Sequence, residues 1–336
     1  MKTIALFSHY GRIGSTTLLY HLAWMYAELG VRVLAVDLDP QAQLSSMLLD
    51  SDDLEAIWLT TARHQTTWGA IEPVFQQRAP LSEPAMHPIT EHLALLVGDL
   101  AWAGVEGQLA SAATQPPTVE DDALRLALAL RQLLHDAAAQ HDAQIILLDV
   151  ASNTGILNRA LLSVAEALVL PLAPNLAASQ ALPYLGATLQ HWRPVWQQWS
   201  AAHTPALLPA TPLRPLGYVV MHHAVRLDRP LHAADRWLAA LPAAYRAALC
   251  PEAAPATSAD VADDPLCLAL LKPYRSLMDI AKEARKPMFL LKPADGALGN
   301  HGLAVHACYR DFRGLAQRIA AGKDNLLKRD TCAPNV

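Results

Sequence analysis

Nine residues near the start of the chain, His9-Tyr10-Gly11-Arg12-Ile13-Gly14-Ser15-Thr16-Thr17, have the residue types of a phosphate-binding turn. In the pattern GxxxxGK[ST], backbone N–H groups and a helix N-terminus cradle phosphates, a lysine neutralises them, and a hydroxyl ligates magnesium. Gly14 and Thr16 fall at the second-glycine and hydroxyl positions of that pattern. His9 takes the first-glycine position and Ser15 the lysine position. A plain strand-to-helix turn with two glycines looks the same, so the loop alone leaves both readings open. Two acidic strand ends favour the phosphate reading: Asp37 and Asp39 in Val36-Asp37-Leu38-Asp39-Pro40-Gln41, and Asp149 in Leu147-Leu148-Asp149. Carboxylates so placed can hold magnesium waters and orient an attacking water. Asp37 or Asp39 in isolation is more commonly a helix cap or a turn residue.

The apolar patterning supplies elements able to bring these residues together. Thr3 to Ser8 reads as a short buried strand. Thr16 to Leu29 reads as a helix, with Leu18, Leu22, Met25 and Leu29 at helical spacing and Gly30 as its left-handed cap. Val31 to Asp37 is a second strand without alternation, as expected where both faces of a parallel sheet are covered. Strands follow at Leu93–Val97, Ile145–Val150, Ala167–Leu172 and Gly217–Met221, with a candidate at Met288–Leu291. Helices are expected at Asp121–His141, Leu157–Ala165, Ala177–Trp192 (ended by Pro194), Ala233–Leu249 and Leu303–Ala321. The alternation implies one α/β domain over residues 1–322, a doubly wound, mostly parallel sheet with helices on both faces, followed by a polar tail at 323–336. Ligands of such sheets bind outside the carboxyl ends of the strands, so the loops after Ser8, Asp37, Asp149 and Leu172 should converge.

Composition narrows the function classes. The 336 residues are 52% hydrophobic and 17% charged, with a net charge of −5, which suits a globular protein and argues against one that coats nucleic acid with its whole surface. The four cysteines have neither CxxC spacing nor the density of a disulfide scaffold, and read as free thiols. No stretch has the 18 or more consecutive apolar residues of a membrane span and the first residues do not form a secretory signal, so a cytoplasmic location is expected. His222-His223 and the pair His301/His306 lack acidic or cysteine partners at metal-ligand spacing. Tyr20, Trp24 and Tyr26 read as packing on the first helix, and Arg310, Arg313, Arg318 and Lys323 as either a solvated face or a phosphate-contacting strip on the last helix.

The order YGRIGSTT, then RVLAVDLDPQAQLSS, then IILLDVASNTGILNRALLSVAEALVLPLAPNLAASQAL resembles the ParA/MinD/Soj family of P-loop ATPases. DLDPQ is the most specific piece, and AKEARKP before the last helix is similar to the family's C-terminal segment. The resemblance covers most of the chain, with insertions near 50–90 and 200–265 that have no equivalent. It implies an ATP- or ADP-binding, magnesium-dependent switch of the partition or positioning type. Gly11, Arg12, Ile13, Gly14, Ser15, Thr16 and Thr17 would form the nucleotide loop, Thr16, Asp37 and Asp149 the magnesium site, and Asp39 would orient the attacking water. It also implies a nucleotide-linked homodimer with a protein partner or cargo, and nonspecific DNA binding in some members.

The loop departs from the family's KGGVGKTT at its lysines. Tyr10 stands for the signature lysine, Arg12 for a glycine and Ser15 for the general phosphate lysine. The loss of both lysines predicts hydrolysis that is very slow or absent. Arg12 is either a replacement charge or a solvent-facing arginine. The alternative to a switch is a non-enzymatic adaptor that keeps the fold and binds a protein. A nicotinamide-dependent oxidoreductase is excluded by the lack of GxGxxG, and a nitrogenase-type iron–sulfur reductase by the lack of a cysteine in the segment after Asp149.

Overall fold

Alternation within short apolar runs sends successive side chains to opposite faces of a sheet. Ile4 and Leu6 enter one core with Val33, Ala35, Ile145 and Leu147, whereas Ala5 and Phe7 enter the other with Leu34, Val36, Ile146 and Leu148. The strands are β1 (Lys2–Leu6), β2 (Val33–Asp37), β3 (His87–Pro88), β4 (Leu93–Leu96), β5 (Ile145–Asp149), β6 (Ala167–Leu172), β7 (Arg214–Val220) and β8 (Cys267–Leu270). They form one sheet in the order β3-β4-β2-β5-β1-β6-β7-β8, parallel throughout except for the short β3–β4 pair at one edge. A computed structural model underlies this description and covers residues 2–11, 13–59, 64–112, 118–202, 208–209, 212–222, 232–253 and 260–329. Arg12, His223 and Cys332 lie outside the described residues, as does the side chain of Lys323.

The chain leaves β1 for β2, returns through β5 into the space between them, and continues to β6 on the far side of β1. That reversal makes the carboxyl ends of β1, β2 and β5 the crevice of the sheet. One face carries α1 (Ser15–Glu28), α2 (Gln43–Leu48), α3 (Ser51–Trp58), α10 (Arg275–Ala284) and α11 (Asn300–Arg329). The other carries α4 (Thr67–Phe75), α5 (Trp102–Ala112), α6 (Thr118–His141), α7 (Ile156–Leu162), α8 (Leu176–Ala202) and α9 (His232–Leu249). In α1 the buried Leu18, Leu22 and Met25 each contribute about 2 kcal/mol of apolar burial. Gly30 follows the helix at φ +75°, the left-handed cap its position implied.

Three expectations are corrected. Pro194 does not end α8, which passes through Pro183 and Pro194 to Ala202. Buried Trp192, Trp196 and Trp199 hold the far half of that helix, and Trp196 donates from its indole to the Arg159 carbonyl at 3.1 Å. Met288–Leu290 forms a 3-10 turn rather than a strand, because the Met288 N–H is taken by the His21 ring and the Leu290 N–H by the Pro287 carbonyl. The last helix runs to Arg329, seven residues into the stretch read as tail. Among the described cysteines, Cys250, Cys267 and Cys308 are free thiols, and no described helix is long and apolar enough to cross a membrane.

Candidate functional site

Gly14 sits at the N-cap of α1 with φ +87°, a left-handed conformation that only glycine adopts without strain. Its carbonyl accepts the Leu18 N–H at 2.8 Å, so the turn passes directly into the helix. Ser15, Thr16 and Thr17 form the first turn, whose N–H groups have no partners within the helix and carry its positive end. A cavity of about 660 Å³ opens there, and Gly11, Ser15, Thr16, Asp39, Gln41 and Ser152 are among its lining residues. Ser15 is buried, yet its Oγ has no hydrogen-bond partner among the described residues. The loops after β1, β2 and β5 thus converge as expected. The loop after β6 joins on the Tyr10 side, where Ala173, Asn175 and His222 surround a hollow that shares Gly11 and Ile13 with the main cavity.

Strand register places the two innermost carboxylates. Asp37 and Asp149 are direct partners across β2 and β5, and Leu6 of β1 is the partner of Asp149 on its other side. Both continue the row of side chains that faces α1, so both point toward the helix that carries Thr16. Both are fully buried and neither lines the cavity wall. Their environments differ. Asp37 accepts the Ser45 N–H and hydroxyl on Oδ2, both at 2.8 Å, and the Asp39 N–H on Oδ1 at 3.2 Å. Ser45 Oγ in turn accepts the Gly98 N–H at 2.9 Å. Gly98 is required there, since a Cβ would stand 2.8 Å from Asp37 Cγ.

Neither oxygen of Asp149 receives a hydrogen bond of normal geometry from a described residue. The Thr16 hydroxyl lies near enough to favour the charged form without completing such a bond. Burial raises the Asp149 carboxyl well above its ordinary value, and the neighbouring charges of Asp37 and Asp39 push the same way. Asp37 is also raised, by burial first, against the pull of its three hydrogen bonds. Asp39 lines the cavity from a tight turn: its Oδ1 accepts the Gln41 N–H at 2.9 Å and its carbonyl the Ala42 N–H at 2.8 Å. Ala42 closes that turn at φ +46° and starts α2.

The loop after Asp149 is fixed by residues that sequence reasoning did not single out. Glu106 of α5 accepts the Ile156 N–H at 3.1 Å and the Leu157 N–H at 3.0 Å, capping α7 across the fold. Asn158 donates to the Ala151 and Asn153 carbonyls at 2.6 and 2.8 Å. Ser45 and Gly98 belong to the same class of unheralded residues, although Ser45 lies inside the DLDPQAQLSS stretch. Nothing in the local pattern around Glu106 signals a partner 50 residues away.

A second cavity, of about 270 Å³, adjoins the first at Gly14 and Thr17. Met221, Pro273, Tyr274, Met278 and Phe312 give it largely apolar walls of a size that suits a planar ring. Phosphate-sized polar space at a helix N-terminus, next to an apolar slot, is the division a nucleotide requires. Among the described residues no cluster of three or more histidines, cysteines or acids has metal-holding geometry, and the His222, His301 and His306 side chains do not assemble one.

Comparison with known proteins agrees with this geometry. A family model described as an AAA domain matches residues 1–197. The chromosome-partitioning ATPase Soj of Thermus thermophilus is 31% identical over 194 residues, which span 57% of this chain and 63% of that protein. Cell division protein PomZ of Myxococcus xanthus is 26% identical over 181 residues, spanning 54% of this chain and 49% of that protein. The matched stretch is therefore less than two thirds of each curated relative. The fold recurs in protein DIP2308 from Corynebacterium diphtheriae, with a TM-score of 0.62, 19% identity and coverage of 85% and 97% of the two chains. It recurs also in pNOB8 ParA, with a TM-score of 0.58, 17% identity and coverage of 96% and 99%. By its family match, its strand order and its glycine turn facing two acidic strand ends, the chain belongs to the ParA/MinD family of P-loop α/β proteins.

Proposed function

We propose that this chain is a nucleotide-dependent switch of the partition or positioning type, binding Mg·ATP or Mg·ADP at the α1 N-terminus and hydrolysing slowly or not at all. The observation that carries it is a phosphate cradle with a serine at its lysine position: Ser15 Oγ and both oxygens of Asp149 are buried and have no hydrogen-bond partner of normal geometry among the described residues. Orphaned polar atoms of this kind cost the fold free energy and are expected where a ligand completes them. A lysine at the Ser15 position would bring about 4 kcal/mol of attraction at 4 Å from a phosphate in a moderately polar site. Ser15 offers a hydrogen bond without charge, which weakens binding and weakens transition-state stabilisation more.

The residues fit a magnesium ion. Thr16 and Asp149 would hold it, directly or through water, while Asp37 has both oxygens engaged by Ser45 and Asp39 and would act by steadying the strand end. Bound magnesium would neutralise phosphate oxygens that the loop itself does not. Asp39, on the cavity wall, would orient a water. The partition and cell-division roles carried in the names of Soj and PomZ support the positioning class. A homodimer and a protein cargo follow from that class. Nonspecific DNA binding would use Arg310 and Arg313, which are exposed on α11, rather than Arg318, which donates to the Cys267 and Leu268 carbonyls.

Calorimetric titration with Mg·ATP and Mg·ADP tests the reading, with saturable binding expected in the high micromolar to millimolar range (order of magnitude from the loss of one phosphate cation). Absence of heat and of any thermal shift at several millimolar nucleotide would overturn it. The adaptor reading draws on Leu176 and Tyr184, apolar side chains 53% and 73% exposed on α8. Self-association indifferent to nucleotide, together with that null titration, is the result the adaptor expects.

A further inference from the structure

The phosphate cradle has no cation among its described lining residues, but the adjoining cavity has two. Lys272 and Arg275 flank Pro273 and Tyr274 in the turn between β8 and α10, and both line the 270 Å³ cavity that meets the cradle at Gly14 and Thr17. The turn is held in place. The Leu271 N–H donates to the Val220 carbonyl at 2.8 Å, the Arg275 N–H to the Pro273 carbonyl at 2.8 Å, and the Tyr274 hydroxyl to Asp311 of α11. Among the described residues, neither Lys272 nor Arg275 has an ion-pair or side-chain hydrogen-bond partner.

Arg275 is moreover the first residue of α10, a helix with no acidic residue in its first turn. A cation there opposes the positive end of the helix, an arrangement that an anion in the cavity would relieve.

We propose that Lys272 and Arg275 are phosphate-binding residues of this nucleotide site, supplying from the β8–α10 turn the positive charge that Ser15 does not supply from the loop. The proposal rests on the nucleotide reading and deepens it. The ligand class is a purine nucleotide whose base occupies the apolar slot against Met221 and Phe312 and whose phosphates cross from the cations to the α1 N-terminus. The flexible lysine stem and the forked guanidinium reach a shared phosphate in complementary ways: one as a point charge, the other through paired donors. Charge supplied from this side lies on the base side of the cradle. It therefore strengthens ground-state binding more than it stabilises a transferring terminal phosphoryl group, consistent with a switch that holds nucleotide and turns it over slowly.

The test is calorimetric titration of the full chain with Mg·ADP and, separately, with adenosine, comparing the native protein, the exposed-residue double variant K272Q/R275Q, and the triple variant S15K/K272Q/R275Q. The expected result is that K272Q/R275Q weakens Mg·ADP by at least about tenfold, leaves adenosine unchanged, and regains Mg·ADP affinity in the triple variant. Unchanged Mg·ADP affinity in the double variant, with the native protein binding normally, overturns the proposal and leaves the nucleotide reading standing. Equal weakening of Mg·ADP and adenosine also overturns it, since the two residues would then shape the base slot rather than carry charge. If the native protein binds neither ligand, the nucleotide reading falls and this proposal with it.

Discussion

At the scale of single residues, the site is defined by polar atoms that the fold leaves without partners. Asp149 is fully buried beside a second carboxylate, and neither of its oxygens is satisfied by a described residue. An ionised carboxylate in such a place costs the folded state more than a neutral amide of the same shape. Asp149→Asn is therefore expected to raise the stability of the ligand-free protein by about 1–3 kcal/mol, measured by urea denaturation at neutral pH, and to abolish any added stabilisation by Mg·nucleotide. A destabilised variant would show that Asp149 has a structural partner. Gly14 makes a different point. A Cβ there would find space, with the Met221 methyl 3.7 Å away, so the cost of Gly14→Ala is conformational: about 1–2 kcal/mol for a left-handed non-glycine residue. A denaturation midpoint equal to that of the native protein would contradict this.

At the scale of elements, the nucleotide helix is anchored from the far end of the chain. His21 of α1 donates from Nδ1 to the Thr17 carbonyl at 2.8 Å and accepts the Met288 N–H on Nε2 at 3.1 Å, with Phe312 of α11 stacked on its ring. These bonds require the neutral ring, and burial lowers its pKa to about 4, opposed only in part by the bond to Thr17. Between the unfolded value near 6.5 and the folded value, the unfolded chain takes up a proton that the folded protein refuses. Stability should thus fall as pH drops from about 6.5 to about 4, by up to about 3 kcal/mol, and no further from this group below that. His21→Gln, which can keep both hydrogen bonds, should flatten that slope in denaturation midpoints measured across the range. An unchanged slope would assign the pH dependence elsewhere. Glu106 gives a second element-scale prediction: Glu106→Ala removes the cap of α7 and should cost about 1–2 kcal/mol, with faster amide exchange at Ile156 and Leu157. Protection at those two amides equal to native would contradict it.

What was legible in the sequence follows the same physics. Buried parallel strands and long amphipathic helices announce themselves, and β1, α1, β2, β5, β6 and α9 lie close to where periodicity puts them. Asp37 and Asp149 end β2 and β5, where the apolar runs put them, and Asp39 follows β2 by two residues. The helices α2 to α5 and the four-residue β8 were not read from the apolar pattern. Pro194 misled because three buried tryptophans outweigh the lost backbone bond. The 3-10 turn at Met288 was hidden because its hydrogen-bond partner, His21, lies 267 residues away. Ser45, Gly98, Glu106 and Asn158 support the site through backbone contacts that sequence spacing does not encode.

At the scale of the whole molecule, the family match ends at residue 197, but the fold does not. α11 packs on α1, with the Tyr26 hydroxyl donating to the Ala316 carbonyl at 3.1 Å, and β7 and β8 extend the sheet beyond β6. A chain cut after residue 197 would bare the buried His21 and Tyr26 of the helix that begins the phosphate cradle. It is expected to be insoluble or to lack a cooperative thermal transition by circular dichroism, and a sharp transition would show that residues 1–197 fold alone. The same architecture states the central claim: a family fold with its acidic strand ends in register, its glycine turn formed, and a serine, Ser15, at the position of the loop's phosphate lysine. The most direct measurement is steady-state phosphate release from Mg·ATP by the native chain, by Ser15→Lys, and by Ser15→Lys combined with Asp39→Ala. The account predicts negligible release from the native protein, turnover gained with the lysine, and its loss again without Asp39. Substantial turnover by the native chain, or none gained by Ser15→Lys in a folded protein that binds nucleotide, would contradict it.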